Sequence, residues 1–184
     1  MRIQFLGTVP GAARERHDVR ALQIDTSLLV GLSEAPVAAG PEFTVLNTLG
    51  LRPFQTNAVS GYTITPLPAR NSAGGLIYVI EREGKTFLCG NNSGYFPEET
   101  WDALAGRVIH AVSLDCVTVN ITPNHQTEED ILTTRRRLYQ LGCVKQAVWF
   151  YVVSADGGTE RSELIERMHT RGVSVVYEGM TAEV

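Results

Sequence analysis

Residues 86–101 read Thr86-Phe87-Leu88-Cys89-Gly90-Asn91-Asn92-Ser93-Gly94-Tyr95-Phe96-Pro97-Glu98-Glu99-Thr100-Trp101. Thr86 to Cys89 is a short apolar, β-prone run. Asn91 to Ser93 is polar and set between Gly90 and Gly94, and Pro97, Glu98 and Glu99 lead into Trp101. That order specifies a buried strand, a polar loop and a helix. Proline suits a first helical turn because the N–H it lacks would go unused there. Acids suit the same turn because they face its exposed N–H dipoles. Polar residues at a strand's carboxyl end, held between rigid elements, are where α/β proteins place their sites.

Outward from this stretch, residues 2–6, 21–24, 27–30, 62–66, 76–81, 109–114, 147–153 and 173–177 are rich in Val, Ile, Phe and Tyr and bounded by turn formers. They read as strands. Glu83-Gly84 is the turn of a hairpin pairing 76–81 with 86–89. Helices are expected over 97–105, 127–141 and 159–170. Thr127 with Asp130 forms a capping box, Thr159 caps the last helix, and Gly106, Gly142 and Gly172 end the three. Ile131, Leu132, Leu138 and Leu141 fall on one face of the second helix, and Leu164, Ile165 and Met168 form the buried side of the third. Residues 31–61 carry Pro36, Gly40, Pro41, Gly50, Pro53 and Gly61 and read as loops and short turns, with a short helix near 41–49 the one candidate element. Strands first, then alternating strands and helices, give a layered α/β fold with mixed sheets flanked by helices.

The 184 residues fit one domain, 1–184. A net charge of −4 and a pI near 5.6 give no reason to expect nucleic acid as a partner. Arg135-Arg136-Arg137, the one basic cluster, sits in a helical pattern and reads as a solvated helix face. No apolar run is long enough to span a membrane, and the N-terminus has no signal-peptide pattern, so a cytoplasmic protein is expected. Cys89, Cys116 and Cys143 are widely spaced and odd in number, which argues for small buried hydrophobes rather than disulfides or a structural zinc site.

Several ordered segments resemble the metallo-β-lactamase fold, in the branch related to cyclic-phosphate phosphodiesterases. Met1 to Thr8 is similar to its opening strand, and Thr65-Pro66-Leu67-Pro68-Ala69 to a strand that delivers a metal-binding His two residues later. Gly94 to Trp101 follows the turn and helix after its Asp-Thr-Gly loop. Val112-Ser113-Leu114-Asp115-Cys116 through Asn124-His125 is similar to its Leu-Asp-Cys-Thr strand and the His-bearing loop beyond. Gly157-Gly158 and Tyr177-Glu178-Gly179-Met180 also fit. The resemblance implies an αββα sandwich, here truncated between Gly31 and Gly61.

The family's chemistry needs two divalent ions that activate a bridging water and clamp the phosphate. Its hallmark, His-x-His-x-Asp-His, is missing here: the histidines are His17, His110, His125 and His169, all isolated. Asn71 stands where the metal-binding His after the Pro-Leu-Pro-Ala strand belongs, Asn92 replaces the bridging Asp, and Tyr151-Val152-Val153-Ser154-Ala155 replaces Thr-His-x-x-His. A neutral amide brings no charge to offset a pair of doubly charged cations. No metal ligand is assigned.

Two family positions survive, Asp115 and His125. The resemblance gives His125 the place of a proton donor near the phosphate; local capping or packing is its other reading. Asp115 is expected to accept backbone N–H groups of the neighbouring loop. Arg70, Asn71, Asn91, Asn92 and Ser93 are expected to converge on the old metal position. There they either keep an anion pocket, with Arg70 supplying the charge, or fill space with mutual hydrogen bonds.

The leading expectation is therefore a degenerate fold member, a pseudoenzyme without metal-dependent hydrolysis or cofactor, binding a phosphorylated small molecule or a protein partner. The alternative is an active phosphodiesterase-like hydrolase rebuilt around His125, Asp115 and Arg70, the only case in which zinc, manganese or iron enters. A third reading is an assembly role, as a homodimer or beside a related subunit.

Overall fold

Along the strand Leu76–Arg82, Ile77 and Val79 bury themselves on one side of a sheet while Tyr78 and Ile80 bury themselves on the other. Side chains alternate across a strand, so an unbroken apolar run of this kind demands cover on both faces. The computed structural model supplies it. It describes residues 1–7, 19, 21–32, 39–117, 124–154 and 161–184.

In chain order the strands are β1 Arg2–Leu6, β2 Ala21–Ile24, β3 Leu28–Gly31, β4 Thr44–Val45, β5 Asn57–Val59, β6 Tyr62–Pro68, β7 Leu76–Arg82, β8 Lys85–Gly90, β9 Ala111–Val117, β10 Val148–Ser154 and β11 Thr181–Glu183. The helices are α1 Glu98–Leu104, α2 Glu128–Gln140 and α3 Arg161–Thr170. One sheet has the order β11-β1-β2-β3-β4 and the other β10-β9-β8-β7-β6-β5. The inner faces meet in a core that includes Phe5, Leu22, Leu28, Ile64, Ile80, Phe87 and Phe150. Outside the six-stranded sheet a second core joins Leu67, Val79, Leu88 and Leu114 to Trp101, Leu104, Ile131, Leu138 and Met168 of the helices. This is the layered α/β sandwich expected, with two mixed sheets face to face.

β8, β9 and β10 run parallel, and β6 is antiparallel to β7, which is antiparallel to β8. The carboxyl ends of β6, β8, β9 and β10 therefore lie on one edge, which collects the loops after Pro68, Gly90 and Val117.

The Glu83-Gly84 turn has both residues at positive φ, 52° and 73°, the mirror-image turn that matches strand twist. The Thr127–Asp130 capping box forms in full. The strand expected over 173–177 does not form. Val175 makes a single bridge to Tyr151 before Gly179, at φ 84°, turns the chain into β11. Among the described residues one position of β10, Tyr151, is paired there, which is too little for a ladder. β9 begins at Ala111 instead of Ile109 and runs to Val117, so Asp115 lies within a strand, opposite Val152 of β10. His110 precedes it and accepts the Thr86 N–H on Nδ1 at 3.1 Å. Short β4, β5 and β11 carry too few residues to show a period. The helical turn near 41–49 is a single 3-10 turn, Leu46–Thr48.

On α2, Ile131 and Leu138 are buried and Leu132 and Leu141 half-buried; the remaining core place goes to Thr134, whose hydroxyl donates to Gln126 Oε1 at 3.0 Å. Ile165 of α3 is exposed while Met168 is fully buried, so that helix anchors through a narrower stripe than its pattern suggests. The arginine cluster is not a uniformly solvated face. Arg135 lies over the Trp149 ring and donates to Gly172 O, and Arg137 lies over Trp101 and donates to Tyr95 and Glu98. Only Arg136 is exposed. His17, the Thr159 cap, the Gly157-Gly158 pair and the side chain of Leu164 lie outside the described residues. No described helix is long and apolar enough to cross a membrane.

Far along the chain from these loops, Asp25 of the β2–β3 turn ties the two sheets together. Its carboxylate accepts the Tyr62 hydroxyl at 2.5 Å, Arg82 Nη1–H at 3.2 Å and the Arg2 N–H at 2.8 Å. Burial pushes this carboxyl up, but those donors and the N-terminal charge outweigh it and hold it below the usual 3.8. A group depressed on folding stabilises above its unfolded value and loses that contribution as pH falls through its folded value. Asp25→Asn is therefore expected to lower the melting temperature at pH 7, with the gap to wild type closing in thermal scans below about pH 3.

Candidate functional site

β8 ends at Gly90, where no side chain fits: a β-carbon would stand 2.7 Å from Phe96 and 2.8 Å from Leu114. The chain then turns through Asn91 and Asn92, the latter at φ 58°. Asparagine tolerates this left-handed conformation better than most residues. The turn swings residues 91–94 toward the β6–β7 loop and the loop after β9.

Every candidate named from sequence falls in this region. The Arg70 N–H donates to Ser93 Oγ at 3.0 Å, and the Gly94 N–H to Arg70 O at 3.0 Å. Asn71 Nδ2 donates to Asn92 O and to Asn92 Oδ1, both at 3.2 Å. Asn71 Oδ1 is already occupied by the Ala73 N–H at 2.8 Å, which fixes the orientation of the amide. Buried Asn91, in the orientation that satisfies both its ends, donates to Ser113 Oγ at 2.8 Å and accepts the Asp115 N–H at 3.2 Å. His125 Nδ1 contacts Asp115 Oδ2. The Arg70 side chain is exposed, and its guanidinium makes no hydrogen bond or ion pair with the described residues.

Asp115 is 6% exposed. Burial raises its pKa above 3.8, and His125 with the backbone N–H groups of Ser93 and Asp115 offsets only part of that. Its Oδ2 meets the imidazole, which sequence does not show; the Ser93 and Asp115 N–H groups favour its charged form, but the buried Oδ1 has no hydrogen-bond partner among the described residues. Ten residues separate the pair, and the Cys116–Gln126 bridge sets the two segments side by side. Asp115 thus holds Nδ1 from inside and orients a ring that is about one-third exposed.

Sequence reasoning assigned no role to Asn124, Ser72 or Ser113. Asn124 Oδ1 accepts the Ser72 N–H at 2.9 Å and its Nδ2 donates to Ser72 Oγ at 3.1 Å, linking the third loop to the first. The polar Pro123-Asn124-His125 run could have flagged Asn124 as a loop-bridging amide.

A metal pair would need lone pairs where Asn71 presents N–H hydrogens and anionic oxygens where Asn92 presents an amide. No three His, Cys, Asp or Glu side chains converge among the described residues. Cys89, with its thiol pushed up to about 12 by burial, offers no thiolate.

No protein-family model matches the chain, and no curated protein matches it. Among solved structures it is similar to the metallo-β-lactamase fold protein YhfI from Bacillus subtilis, with a TM-score of 0.65 and 12% identity over 100% of this chain and 99% of that one. It is also similar to Igni18, a metallo hydrolase from the archaeon Ignicoccus hospitalis, with a TM-score of 0.51 and 15% identity over 74% of this chain. The match spans 61% of the length of Igni18.

Proposed function

Taking the metallo-β-lactamase fold as premise, we propose that this chain binds a small phosphorylated or otherwise anionic molecule at the β6, β8 and β9 loop edge, without metal-dependent hydrolysis. The observation that carries this reading is the Asn71–Asn92 hydrogen bond at the positions where the resemblance calls for metal ligands. An amide donor facing an amide acceptor offers two cations no charge, and the acceptor oxygens are already engaged by the donor. Arg70, exposed and uncommitted among the described residues, and His125, oriented by Asp115, supply the donors suited to an anion. Elemental analysis of the purified protein is expected to find zinc, manganese and iron well below one ion per chain. Titration with inorganic phosphate should give saturable heat that Arg70→Ala weakens about tenfold. One tightly held metal ion per chain would overturn the proposal.

The Asp115–His125 pair favours a second reading, a metal-free phosphodiesterase. Water oxygen would bond to phosphorus as the ester P–O bond breaks. His125 would protonate the leaving oxygen, and solvent would take the water proton. This reading requires turnover of an alkyl phosphodiester that His125→Ala abolishes; rates no higher than a heat-treated control would remove it.

A further inference from the structure

We propose that Asn71 and Asn92 form an amide clamp that does the mechanical work a metal pair would do in this fold, and so set the separation of the groups that meet the anion. The binding half of this proposal rests on the anion-site reading above; the mechanical half does not.

The clamp is a set of cross-loop bonds. Asn71 Nδ2 reaches both oxygens of Asn92, and beside it the Arg70 N–H reaches Ser93 Oγ and the Gly94 N–H reaches Arg70 O. Loop 69–75 is thereby sewn to loop 91–94 through three consecutive residues on one side. Asn124 sews the same loop to the third through Ser72. A bridging metal would achieve this by pulling ligands from separate strands onto one point; here neutral hydrogen bonds do it without a pair of cations.

The geometry explains the choice of residues. Asn92 at φ 58° turns its carbonyl and its side-chain oxygen toward the same donor. Asn71 can be that donor because the Ala73 N–H occupies its own oxygen. An acceptor at 71 would set oxygen against two oxygens; a donor without the companion acceptor would lose the Ala73 bond that aims it. Arg70 precedes Asn71, and Asn91, which holds the Asp115 N–H, precedes Asn92. The clamp therefore fixes the bases of both anion-facing groups, Arg70 directly and His125 through Asp115. Asn71 and Asn92 are positioning residues in this scheme and touch no ligand.

Two measurements on the full chain decide it. Hydrogen exchange reads the mechanical half: Asn71→Leu, neutral and of similar volume, is expected to speed amide exchange in residues 69–75 and 91–94 about tenfold while β7 and β9 keep their protection. Asn92→Asp retains both acceptors and is expected to keep loop protection near wild type. Treating the wild type with a chelator is expected to change nothing. Unchanged exchange in Asn71→Leu, or loop opening on chelation, would overturn the clamp. Phosphate titration reads the binding half: Asn71→Leu is expected to weaken inorganic phosphate about tenfold with no change of local charge. Wild-type affinity in Asn71→Leu would show that the clamp does not position the donors. Absence of phosphate binding in the wild type would instead sink the anion-site reading and the binding half with it, and leave the exchange result to judge the clamp.

Discussion

His125→Ala is expected to lower stability at pH 7 by about 2–3 kcal/mol, the upper part of what leaving a buried acceptor without its partner costs. The larger share comes from what the substitution leaves behind. Asp115 is almost completely buried and already sits above its ordinary pKa. His125 is among the groups that hold it down, so its removal raises the carboxyl further. A carboxyl raised on folding gives its full stability below the unfolded value of 3.8 and loses it as pH climbs through the folded value. The deficit of His125→Ala should therefore be greatest at neutral pH and shrink toward pH 4. The double variant Asp115→Asn, His125→Ala should regain stability at pH 7, because the charge that had no partner is gone. Urea unfolding at pH 4 and pH 7 measures all of this. A single variant equally destabilised at both values would show that lost packing, not an orphaned charge, is the cause.

Trp101→Ala should have the largest effect on the fold, about 3–5 kcal/mol. For a chain of this size that lowers the melting temperature by about 10 °C. Trp101 is 1% exposed, and its ring packs against Phe96 at 5.1 Å and Tyr95 at 5.5 Å with the Arg137 guanidinium 4.7 Å above it. Its Nε1 donates to Phe96 O at 2.9 Å, so alanine leaves both a cavity and a buried carbonyl without its donor. α1 has only seven residues and no side-chain cap. A helix that short does not hold itself together in water, so its place depends on this ring. Trp101→Phe should recover about half the loss, since it refills most of the volume but not the hydrogen bond. Phe96 and Tyr95 also close the loop after β8, so Trp101→Ala is expected to loosen residues 91–94 in exchange measurements. Full protection there would separate the loop from the helix that follows it.

Much of this fold can be read along the chain. The hairpin at Glu83-Gly84, the Thr127–Asp130 box and the strand–loop–helix of residues 86–101 each depend on neighbours in sequence, and all three form. The runs that fail are those whose fate rests on a distant surface. The 173–177 segment has strand composition but makes one bridge to β10 among the described residues, and Ile165 has the right helical spacing but is exposed.

The candidate site divides the same way. Sequence alone determined which residue types occupy the old ligand positions, because a missing imidazole or carboxylate is a property of the chain. The tertiary structure decided what those residues do: that Asn71 bonds Asn92 instead of facing an open pocket, that Asn91 binds Ser113 and Asp115, and that Asp115 of β9 takes His125. Donor and acceptor types are written in side chains, but a hydrogen bond exists only at about 3 Å, and that distance is set by strand register and loop closure.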